Sequence, residues 1–137
     1  MNRPAWLCLL SLVTAALAAG SAADDPLVVE AGFHHLGDTH TPEWPEAAAA
    51  PVPGPLELRF SASANASEWL LVLTQRHVDD TWSVRLNGRD VGQLSRRVDE
   101  NPRQDHLRLP AGALVEGENV LVFASSSSTH DITVGDV

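Results

Sequence analysis

After the first 23 residues the chain shows no sustained helical period. It instead alternates apolar with polar positions in short runs, broken by Gly, Pro, Asn and Asp at intervals of about 8 to 15 residues. A period of two sends successive side chains to opposite faces of an extended strand, so such runs read as half-buried strands. Strands are predicted near 27–31, 56–62, 68–75, 81–86, 90–94, 105–109, 119–124 and 131–134. Short strands at this spacing point to an all-β antiparallel sandwich.

The strongest local signal is WSVRLNGRDVGQL, from Trp82 to Leu94. Asn87-Gly88 is a preferred pair for a two-residue type I′ hairpin, in which both central residues take positive φ. That turn sets a register with Leu86 opposite Arg89, Arg85 opposite Asp90, Val84 opposite Val91 and Trp82 opposite Gln93. An opposite-charge pair then falls on one face and a valine pair on the other. Gly92 leaves room for a bulge or for the close approach of another strand.

Downstream, Leu107 and Leu109 alternate with polar residues before Pro110, and Leu114 inserts once. Gly117-Glu118-Asn119 then turns the chain into a buried VLVF strand. Upstream, five prolines between His40 and Pro55 remove amide donors and fix φ, so this stretch is expected to cross the surface as a long connection outside any ladder.

Composition narrows the partners. The chain has 137 residues and a formal net charge of -9, which suits one domain and argues against nucleic acid or an anionic membrane face. Residues 1–23 pair a positive start with the apolar run LCLLSLVTAALAA and a small-residue exit before Asp24-Asp25. That layout is a secretory signal peptide with cleavage after Ala23, leaving a β-sandwich domain over 24–137 and a secreted or periplasmic location. No membrane insertion is expected after cleavage. Cys8 lies inside the leader, so the mature chain has no disulfide, thiolate ligand or cysteine nucleophile.

The order of these features resembles a known family. W-x-V-x-L-N-G-x-x-V-G from Trp82, the strand ending Leu109-Pro110, L-x-x-G-x-N-x-L from Leu114, and Asp131-Ile132 before the last strand are similar to galactose-binding-like jelly rolls. These are the carbohydrate-binding-module-type domains of exported bacterial proteins, and the opening HHLGD is similar to some of them. The resemblance covers roughly Val28 to Val137 and implies a jelly-roll sandwich. Its motifs are turn chemistry, which speaks to fold before ligand.

Candidate sites follow from residue types. In FHHLGDTH, His34 and His35 are adjacent and leave opposite faces of a strand; a metal version needs His35, Asp38 and His40 to converge around Gly37. The competing reading is a turn built on Asp38. Ser128, His130 and Asp131 lie together without a nucleophile elbow, so no catalytic residue is assigned. The carboxylate pairs Asp79-Asp80 and Asp99-Glu100 flank turns and are expected to be solvated. A structural calcium is the one cofactor that oxygen-rich loops would accommodate.

Sugar recognition requires an aromatic platform and polar partners. Trp82 and Trp69 are expected in the core, whereas Trp44, between Pro42 and Pro45, is expected to be exposed and to contact ligand. Arg76, Arg96, Arg97 and Arg103 would supply polar contacts. Asn65-Ala66-Ser67 matches a glycosylation sequon and is read as a turn.

The expected function is therefore that of an exported, non-catalytic module that binds a glycan or cell-envelope polymer, or supports a catalytic domain joined beyond residue 137. The alternatives are the N-terminal part of an exported metal-dependent hydrolase and a purely structural interaction domain.

Overall fold

The computed structural model describes residues 26–37, 44–47, 51–125 and 131–137. The expected signal peptide, Asp38, His40, Ser128 and His130 lie outside these residues. Strand β1 spans Phe33–Leu36, β2 Leu56–Ala62, β3 Trp69–Arg76 and β4 Trp82–Leu86. After them come β5 Arg89–Gln93, β6 Arg103–Leu109, β7 Gly117–Ser125 and β8 Ile132–Gly135. One 3-10 turn, Pro45–Ala47, interrupts the long connection between β1 and β2.

The strands form two antiparallel sheets, ordered β1-β8-β3-β6 and β2-β7-β4-β5, packed as a β-sandwich. Alternation dictates the facing: Leu56 and Leu58 of β2, Leu71 and Leu73 of β3, Leu121 and Phe123 of β7, and Ile132 and Val134 of β8 are all buried in one core. Each such side chain contributes about 1.5–3 kcal/mol on burial. Trp82 is buried among them as expected, and Trp69 packs half-buried against the margin.

The Asn87-Gly88 turn has φ of 52° and 76°, the type I′ signature. The register beside it holds for Leu86 with Arg89 and for Arg85 with Asp90, then slips: Val84 pairs with Gly92 and Ser83 with Gln93. The expected Val84–Val91 and Trp82–Gln93 pairs are therefore corrected by a bulge between Val84 and Arg85. The close approach expected at Gly92 is also found, since a Cβ there would lie 3.0 Å from Leu107 Cδ2.

The N-terminal strand is a second correction. Residues 27–31 do not form a strand, although Val29 and Glu30 each donate a backbone hydrogen bond to the Val137 carbonyl. FHHL is the strand instead, paired with β8 so that His34 faces Val134 and His35 faces Thr133. The two histidines leave opposite faces, as their adjacency requires. Gly37 ends the strand with φ of 146°, and a Cβ on it would sit 1.7 Å from Asp131 Oδ1. Only glycine lets β1 leave the sheet so close to the start of β8.

Candidate functional site

Pairing brings one set of strand ends together. Leu36 at the end of β1 faces Ile132 at the start of β8, Arg76 at the end of β3 faces Thr133, and Gln75 faces Arg103 at the start of β6. The connections 77–81 and 94–102 leave from this end. The proline-rich connection returns here too. Val52 donates to the His35 carbonyl at 2.8 Å and makes a parallel bridge to Leu36, and the 3-10 turn lies against β1.

That return path explains the burial of Trp44, which overturns the expectation of an exposed platform. Prolines do keep the connection out of the ladders, but they also stiffen it across the outer face of the β1-β8-β3 sheet, where Trp44 is only 4% exposed. Its indole meets His35 edge-on with centroids 5.6 Å apart, lies 6.0 Å from the His77 ring, and receives the Arg76 guanidinium at 5.9 Å. Its Nε1–H donates to Glu100 Oε2 at 2.8 Å.

Each positively charged or titratable neighbour has a carboxylate beside it. Arg76 pairs with Glu46 of the 3-10 turn, His77 Nδ1 lies 2.7 Å from Glu100 Oε1, and His35 Nε2 lies 3.4 Å from Asp131 Oδ2. Glu100 thus holds two partners from different segments. Its carboxylate fastens the 94–102 loop to both the proline-rich connection and the end of β3. His77 turns the chain there with φ of 57°, a left-handed conformation that histidine tolerates better than most side chains.

The arginines separate into two groups. Arg76 is drawn to Trp44 and is spent on Glu46. Arg96 reaches the Asp79 carbonyl, whereas Arg97 engages Val78 through its backbone amide and leaves its side chain in solvent. Arg103 Nε stands 3.9 Å from Asp99 Oδ2 and is exposed. Val98, between them, is 71% exposed.

Of the suggested metal set, His35 is described and buried, while Asp38 and His40 fall outside the described residues. Among the described residues no group of three histidine, cysteine or acidic side chains converges as metal ligands.

Sequence reasoning missed His77 and Glu46, and it considered Asp131 as a site residue only beside Ser128 and His130. Glu100 was expected in a solvated turn, and nothing local links it to Trp44, 56 residues away. The adjacency of His35 and Asp131 would have emerged from pairing β1 with β8, because Gly37 and Asp131 then continue the register.

At the opposite end, Asn65 organises the β2–β3 connection. Its Nδ2 donates to the carbonyls of Ser67 and Pro110 at 2.8 and 2.9 Å, and its Oδ1 accepts from the Leu114 amide at 2.8 Å. With both amide hydrogens engaged and the residue buried, the sequon is closed in the folded chain.

The chain matches no protein-family model and no curated protein.

Proposed function

We propose that this chain is an exported, non-catalytic accessory module, a galactose-binding-like jelly roll that binds a glycan or cell-envelope polymer or supports a catalytic domain joined to it. The jelly-roll reading is supported by the sheet orders β1-β8-β3-β6 and β2-β7-β4-β5, in which most successive strands change sheet as the chain winds. Export rests on the charged, apolar and small-residue layout of residues 1–23.

One observation carries the binding reading. Glu100 anchors the 94–102 loop through Trp44 and His77, while the Arg97 side chain on that loop and the Arg103 side chain at the start of β6, 3.9 Å from Asp99, are both exposed. Guanidinium groups offer planar donor forks for the hydroxyl, carboxylate or phosphate groups of such a polymer. A fixed loop also loses little entropy on binding.

The burial of Trp44 favours one second reading, a structural spacer, because it converts the expected platform into an internal post. Titrating the purified chain against neutral and acidic polysaccharides, with an Arg97→Ala/Arg103→Ala variant alongside, separates the two. Binding that weakens about tenfold or more in the double variant supports the loop-end site. Binding to no polymer leaves the spacer.

A further inference from the structure

The burial of Trp44 and Trp82 leaves Trp69 as the one tryptophan among the described residues with accessible surface. Trp69 opens β3 at the end of the sandwich opposite the arginine loop, and lines a groove of about 550 Å³ together with Leu27, Ser63, Ala64, Ala66 and Ser67. This volume is within the range of small-ligand sites, about 300–1,000 Å³. We infer that the groove is a second binding site, for a neutral pyranose unit of a glycan, with the Trp69 indole as its platform. The inference rests on the glycan-binding reading above and places part of that binding at the other end of the molecule.

Three features carry it. Among the described residues, no ionisable side chain lines the groove. In a chain of net charge -9, a neutral lining neither repels nor selects an ion, and it suits a ligand recognised by hydroxyl groups and apolar ring faces. An indole presents a broad apolar face at small cost in side-chain entropy, while the Ser63 and Ser67 hydroxyls both donate and accept.

The walls, finally, are set before any ligand arrives. Asn65 ties the Ser63–Ser67 wall to Pro110 and Leu114, the Gly112 amide donates to the Asn65 carbonyl at 2.8 Å, and Trp69 rests against the core. Leu27, also in the lining, is two residues from Val29, which with Glu30 is bonded to Val137. Alanines at 64 and 66 contribute only short side chains to the lining.

Calorimetric titration with soluble galactan, xylan and polygalacturonate tests the assignment on wild type, on Trp69→Leu, which keeps apolar volume against the core, and on Ala64→Leu/Ala66→Leu, which fills the groove from exposed positions. Arg97→Ala/Arg103→Ala reports on the loop-end site. The expected result is neutral-glycan binding by wild type that falls tenfold or more in both groove variants. Retention of neutral-glycan binding in the filled variant overturns the groove. So does the absence of neutral-glycan binding by wild type, even where polygalacturonate binding lost in the arginine variant upholds the loop-end site.

Discussion

The Trp44 indole N–H donates to Glu100 Oε2 at 2.8 Å, joining two connections that are 56 residues apart in sequence. A side chain whose surroundings suggest exposure is therefore an internal post, and its loss should register as stability. Trp44→Ala is expected to lower unfolding free energy by about 3–5 kcal/mol, the range for deleting a buried aromatic. Urea denaturation measures it. A change of less than about 1 kcal/mol would show that the post bears little of the fold.

The His35–Asp131 pair is buried beneath that post, with side chains at most 5% exposed. Removing one partner leaves a desolvated charge or donor behind. Asp131→Ala and His35→Ala are each expected to cost about 3–5 kcal/mol. The double variant should cost less than the sum of the two, and a double-mutant cycle reads that coupling.

Gly37→Ala should destabilise the chain by about 2–5 kcal/mol, through overlap with Asp131 and an unfavourable φ together. Gly88→Ala provides the comparison, since a Cβ there meets nothing within 4 Å and only the φ of 76° opposes it. Thermal midpoints should rank wild type above Gly88→Ala, and Gly88→Ala above Gly37→Ala.

Glu30 predicts an acid limb. The Gly32 amide and then His34 bond its carboxylate, holding its pKa below the ordinary carboxylate value of 4.5 in the folded chain. A depressed folded value means that the unfolded state binds the proton more readily, so the stabilisation is full above about pH 5 and fades as pH falls through the folded value. Glu30→Gln should flatten that part of the stability-against-pH curve. Identical slopes for the variant and wild type would remove Glu30 from the account.

Asn65→Ala removes three side-chain hydrogen bonds from the β2–β3 connection and leaves the Leu114 amide without its acceptor. A loss of about 2–4 kcal/mol is expected. Amide exchange at Leu114 and Gly112 should accelerate well before the core strands respond.

What was legible in the sequence followed from local rules. Alternation located the strands from Leu56 onward, because one face of each meets the core, and Asn87-Gly88 fixed its turn through φ alone. The bulge leaves Val91 as the extra residue on β5, beside the Gly92 that announces it, although the simple hairpin register runs through without it. FHHL was misread because histidines carry no apolar alternation and a following Gly-Asp looks like turn chemistry. Its strand character comes from β8, supplied almost 100 residues later. Trp44 was misjudged for a related reason: proline excludes a segment from ladders but does not tell which surface it will cross.

The placement of β8 bears on the time course of folding. This strand enters between β1 and β3, so β1 has no sheet partner while residues 132–135 remain inside the ribosome. The sheet that carries His35, Arg76 and Thr133 is therefore closed only by β8, and its pairings are among the most distant in sequence. Such long-range closure is slow relative to hairpin formation. The β4–β5 hairpin can form early, while the Trp44 post must wait for the sheet it rests on, which makes the chain before that closure the state most exposed to misassociation.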